Sequence, residues 1–108
     1  MDDFDMISPQ QFTAKLQKGE LGQAMIIDVR EKQEWDYYHL DEAVLIPMNT
    51  VPAQLDKVPA DCKLYVICAH GVRSAHVCYY LREQGYEDVV NVEGGMAAVA
   101  MLRGFQYD

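Results

Sequence analysis

Three short runs of the chain carry apolar and β-branched residues without helical spacing: AMIID at 24–28, LYVI at 64–67 and VVNV at 89–92. Near-continuous apolar runs of this length predict strands covered on both faces, as in a parallel sheet. Val44, Leu45 and Ile46, closed by Pro47, predict one more short strand. Between these runs the pattern changes. Ser8-Pro9-Gln10-Gln11 sets a capping serine before a proline at the first helical position and a glutamine at the third, so a helix starts there and runs to about residue 18, ahead of Gly19 and Gly22. The polar segment 31–37 predicts a short helix, and 51–55 predicts a helical turn or two before Pro59. Over 74–84, Val77, Cys78 and Leu81 share one helical face, and Gly85 stands in the capping position. Gly94-Gly95 breaks the chain before a last helix from 96 to about 103. Strands alternating with helices predict an α/β fold, with a mainly parallel central sheet and helices on both faces. No repeat or linker divides the sequence, so one domain over residues 1–108 is expected.

Charge narrows the function classes. Seventeen acids against nine Lys and Arg give a net charge of −8, and no basic cluster offsets it. Such a surface repels phosphate backbones, which makes nucleic acid an unsuitable partner. An anionic substrate has to be met by positive potential built locally, from backbone N–H groups and one or two cations. The longest apolar run, 96–102, is too short to span a bilayer, so no membrane partner is expected. The opening MDDFDM lacks the basic and apolar regions of a secretory signal, and Asp2, Asp3 and Asp5 read as a solvated tail. A cytoplasmic setting follows as an expectation, in which the three cysteines, Cys62, Cys68 and Cys78, stay as free thiols.

The chemistry concentrates in VICAHGVRSAH, residues 66–76, where a cysteine stands at the point an apolar strand gives way to a polar loop. In open α/β sheets ligands bind beyond the carboxyl ends of strands. A helix begins directly behind the loop, and its unpaired N–H groups and dipole lower a thiol's pKa. Only Ala69, His70, Gly71 and Val72 separate Cys68 from Arg73. A loop this short, with glycine free to take unusual dihedrals, curls so that its N–H groups point at the sulfur, and Arg73 adds a charged fork at the rim.

These residues resemble the active loop of the rhodanese-like domain family: cysteine, four residues with glycine third, then arginine and serine, here Cys68-Ala-His-Gly-Val-Arg73-Ser74. Ile26-Ile-Asp-Val-Arg30 with Glu34-Trp35 and His39 resembles the family's first signature. Tyr86, Val89 to Val92 and Glu93-Gly94-Gly95 resemble its closing one. The resemblance implies a rhodanese-like three-layer fold and a sulfurtransferase. In that reading Cys68 is the nucleophile that becomes a persulfide, taking sulfur from thiosulfate or a persulfide donor and giving it to cyanide or a thiol. The N–H groups of Ala69, His70, Gly71, Val72 and Arg73 hold the transferred sulfur, and Arg73 orients the donor. No cofactor or metal is implied, and a sulfur-donor or acceptor protein is a possible partner. The chain departs from the family pattern at Tyr38-His39-Leu-Asp-Glu-Ala43, at Val99 and at Ala69, where many members have a basic residue. With fewer loop cations, a persulfide is expected to be a better donor than thiosulfate.

Other readings compete. Cys68 as a buried filler is the plainest. Cys62, Cys68, His70, His76 and Cys78 lie close enough to suggest zinc, but no Cys-x-x-Cys knuckle is present. A cysteine phosphatase has a similar strand-loop-helix turn, with a loop one residue longer. A non-catalytic interaction module is the alternative from another class. Asp28 and Arg30, at a strand end, are expected to brace the loop as an ion pair. His39 and Trp35 are expected to pack, Cys78 to lie in the core, Cys62 to be a half-exposed bystander and His76 to face solvent. His70 reads equally as a residue that tunes the sulfur's charge and as an exposed loop residue.

Overall fold

The computed structural model describes residues 4–107. Among these residues five strands, β1 (Asp5–Ile7), β2 (Met25–Asp28), β3 (Ala43–Leu45), β4 (Leu64–Ile67) and β5 (Val89–Val92), form one sheet in the order β1-β5-β4-β2-β3. Every pairing is parallel. Among the described residues, α1 (Pro9–Gln17), α2 (Lys32–Tyr37), α3 (Val72–Glu83) and two 3-10 segments, Met48–Thr50 and Pro52–Lys57, connect the strands, and a fourth helix, α4 (Gly95–Leu102), follows β5.

The period-two geometry of each strand splits the core into two layers. Ile26, Tyr65, Ile67, Val90 and Val92 face one way, onto Phe12 and Leu16 of α1 and Met96 and Val99 of α4. Ile27, Leu64, Val66 and Val89 face the other way, onto Val77, Cys78 and Leu81 of α3 and Val51 and Val58 near the 3-10 segments. The three-layer α/β architecture is therefore the one expected, with a sheet that is wholly parallel. Ser8 caps α1 as the sequence implies, its Oγ accepting from Gln11 N at 3.1 Å.

Two expectations need correction. Asp5 does not lie in a loose acidic tail: it opens β1, in register with Val90, although it is exposed. Asp2 and Asp3 lie outside the described residues. The third helix starts at Val72, two residues before Ser74, so Arg73 and Ser74 already belong to its first turn. The loop behind Cys68 is thus shorter than the sequence suggested. Gly85, at φ 97°, follows the α3 cap residue Gln84.

Candidate active site

Cys68 directly follows β4 and continues its alternation, so Leu64, Val66 and Cys68 all belong to the layer that packs on α3. Gly71 caps α3 with φ 102°, a conformation that side chains disfavour, and this turns the chain back on itself. Its N–H donates to Cys68 Sγ at 3.1 Å. The loop carbonyls face the opposite way: Met96 N donates to Cys68 O at 2.7 Å and Ala97 N to Ala69 O at 3.0 Å. These are N-terminal amides of α4 that have no partner within their own helix. Close contact makes Gly95 necessary, because a Cβ there would lie 2.5 Å from Cys68 O and 2.6 Å from the Ala69 carbonyl carbon, at φ 61°.

Opposing effects act on the sulfur. Cys68 is 1% exposed, and burial pushes its thiol up. The Ser74 hydroxyl at 3.3 Å and the N–H groups of Ser74, Gly71 and His70 favour the thiolate and outweigh burial, so the pKa falls below the ordinary thiol value. The helix dipole of α3 acts in the same direction. Of the loop residues singled out from sequence, His70 and Gly71 turn amides to the sulfur, Ala69 is tied by its carbonyl to α4, and Val72 exposes its side chain.

Arg73 is engaged. Its Nη1 and Nη2 donate to Glu34 Oε1 and Oε2 of α2, both at 2.8 Å, in a fork-to-fork pair. The pairing with Arg73 holds the Glu34 carboxyl at about 2, aided by the Glu31 N–H, which donates to Oε1 at 2.9 Å. Asp28 and Arg30 form a fully buried ion pair: Arg30 Nε and Nη2 donate to the carboxylate at 2.9 and 2.8 Å. The rest of the Arg30 guanidinium reaches Tyr38 O at 2.7 Å, Glu34 O at 3.3 Å and Tyr107 Oη at 2.9 Å. The pair therefore anchors α2, and α2 in turn holds Arg73.

Three contributors were not singled out from sequence. Ser74 and Asn91 are buried beside the sulfur, the Ser74 hydroxyl donating to Asn91 Oδ1 at 2.5 Å. Asn91 pairs in register with Val66, and the alternation Leu64, Val66, Cys68 beside Val89, Asn91 carries the signal for it. Glu34 stood in a quoted signature, but nothing in its neighbourhood announced Arg73 as its partner. Elsewhere, burial pushes the Cys78 thiol up to about 12. Cys62 is half-buried, His76 and His70 are exposed, and the His39 ring stacks on Trp35 with centroids 4.0 Å apart.

Comparison with known proteins agrees with this fold. The family model of the rhodanese-like domain matches residues 8–102. The chain is 44% identical over 73 residues to the putative sulfurtransferase YtwF of Bacillus subtilis, covering 68% of this chain and 70% of that protein. It is 33% identical over 95 residues to the thiosulfate sulfurtransferase GlpE of Pseudomonas savastanoi pv. phaseolicola, covering 88% of this chain and 86% of that one. A crystal structure of a rhodanese-like domain protein from Staphylococcus aureus superposes with a TM-score of 0.81 at 40% identity, covering 89% of this chain and 91% of that one.

Proposed function

Since the chain belongs to the rhodanese-like domain family, we propose that it is a sulfurtransferase that carries sulfane sulfur as a persulfide on Cys68. The observation that carries this reading is the convergence of the His70, Gly71 and Ser74 N–H groups on one buried sulfur. Donors held in that arrangement stabilise a thiolate, and they serve equally for a persulfide anion one atom longer.

The cycle is double displacement and needs no cofactor. The Cys68 thiolate attacks the terminal sulfur of a thiol persulfide, R–S–SH. The donor's S–S bond breaks, its electron pair leaves with R–S⁻, and Cys68 becomes Cys–S–SH, which gives its proton to the medium. An acceptor thiolate or cyanide then attacks the outer sulfur and regenerates the Cys68 thiolate. With thiosulfate the leaving group is sulfite.

Glu34 decides the donor class in this reading. Both arms of Arg73 already hold a carboxylate, so a sulfonate has to displace Glu34 to be gripped. A low-molecular-weight or protein-bound persulfide has no such need. Val72, 66% exposed at the start of α3, offers an apolar contact to such a donor. Free thiols suit a reducing compartment, and the cytoplasm is the setting proposed. Among the described residues no helix is long and apolar enough to cross a membrane.

Turnover with a low-molecular-weight thiol persulfide and with thiosulfate, each with cyanide as acceptor, tests the proposal. We expect both donors to work, the persulfide with the higher kcat/KM, and Cys68→Ser to be inactive with either. A protein that turns over neither donor is an interaction module instead.

A further inference from the structure

The Ser74 hydroxyl has one proton and two neighbours that want it. Cys68 Sγ lies at 3.3 Å and Asn91 Oδ1 at 2.5 Å. The Asn91 amide settles which receives it. Its Nδ2 donates to Gly71 O at 3.3 Å, and turning the amide over would set Oδ1 against that carbonyl, acceptor facing acceptor. Asn91 Oδ1 therefore faces Ser74, the hydroxyl proton points at Asn91, and the hydroxyl lone pairs are left for the Cys68 S–H. The chain runs S–H to Oγ–H to Oδ1 through three side chains that are all buried, at 1%, 0% and 2% exposure.

We propose that Asn91 is a positioning residue: through the Ser74 hydroxyl it holds Cys68 as a hydrogen-bond donor, a thiol, in the resting protein. This rests on the reading of Cys68 as the sulfur carrier. When the thiolate or the persulfide forms, Cys68 has no proton to donate, and the hydroxyl must turn from Asn91 to the sulfur. Turning leaves Oδ1 buried without a donor, which opposes ionisation. The loop amides thus acidify the thiol while Asn91 restrains it. The restraint favours a cysteine that ionises when it reacts, in place of a standing thiolate.

Among the described residues, the other charged and titratable groups on this side are Arg73 of α3 with Glu34 of α2, Cys78 of α3 and His70 of the loop, with Tyr107 against Arg73, His70 and Arg30, and Arg30 paired with Asp28 at the end of β2. On the β5 side it is Asn91 that meets Ser74, and α4 meets the loop through amides donated to Cys68 O and Ala69 O. Replacing Asn91 leaves each of these charges in place.

The test is a pH titration of the Cys68 thiolate by its ultraviolet absorbance, taken as the difference from Cys68→Ser. Ser74→Ala, which removes the hydroxyl, is expected to raise the Cys68 pKa by about one unit. Asn91→Leu, which frees the hydroxyl to face sulfur, is expected to lower it by a similar amount. The double variant should match Ser74→Ala, because the proposed restraint passes through the Ser74 hydroxyl; a shift in the double variant beyond that of Ser74→Ala would assign the effect to the Asn91 contact with Gly71 O instead. An Asn91→Leu pKa that is unchanged or raised, or a double variant that sums the two shifts, overturns the proposal. Asn91→Met, unbranched and a weak acceptor, carries the same expectation should the leucine variant fail to fold. The titration uses no sulfur donor, so it succeeds or fails independently of whether the protein transfers sulfur.

Discussion

At the scale of single residues, Arg73 holds Glu34 with both arms, and in the proposed function that pair sets which donor the site accepts. Glu34→Gln leaves a neutral amide facing the guanidinium and frees it for a sulfonate. We expect KM for thiosulfate to fall roughly threefold to tenfold while a thiol persulfide is little affected, measured by steady-state kinetics. The same change should cost about 1 kcal/mol of stability near neutral pH, since the pair is part-exposed and screened. The sign follows from the carboxyl lying at about 2 in the folded chain, below the ordinary range. The stabilisation is complete above the unfolded glutamate pKa and is lost as pH falls through about 2. Wild type and Glu34→Gln should therefore converge in stability under strong acid, as read from denaturant midpoints. Cys68 was legible because a strand end, a glycine and a helix start surround it within six residues. The partner of Arg73 was not, because Glu34 lies 39 positions away and meets it only once α2 is docked.

At the scale of elements, two helix N-termini share one short loop: α3 turns its amides to the sulfur and α4 holds the carbonyls of Cys68 and Ala69. Gly95 permits that approach. Gly95→Ala places a Cβ within 2.6 Å of the Ala69 backbone at a positive φ. We expect a loss of about 3 kcal/mol or more, together with loss of sulfur loading, as seen in thermal melts and intact mass. Asp28→Asn leaves the buried Arg30 charge uncompensated and loosens α2; a loss of roughly 3 to 5 kcal/mol is expected in denaturant unfolding. Most elements could be read from the sequence, since β2, β4 and β5 are dense apolar runs and α1 has its cap written out. Strand β1 could not. It has three residues, two of them exposed, and it owes its existence to the free edge of β5. The start of α3 was placed late because no side chain caps it; Gly71 does so by backbone conformation alone.

At the scale of the whole molecule, a net charge of −8 surrounds a site whose arginine, Arg73, is already paired with Glu34. A dianionic donor approaches against that field, so we expect kcat/KM for thiosulfate to rise with ionic strength from low salt to about 0.15 M. A singly charged persulfide should respond less. A mainly parallel sheet could be inferred from the alternation of strands and helices, and with it a site at the carboxyl ends of the strands, whereas the strand order could not. The junction of β4, β5, α3 and α4, where Ser74 and Asn91 meet, needed the strand register. All of these features serve one claim, that Cys68 bears transferred sulfur. Intact-mass measurement after incubation with a thiol persulfide tests it directly. We expect a gain of one sulfur atom, reversed by added thiol, absent in Cys68→Ser and retained in Cys62→Ser and Cys78→Ser. An unchanged mass, or a sulfur that remains on Cys68→Ser, would contradict it.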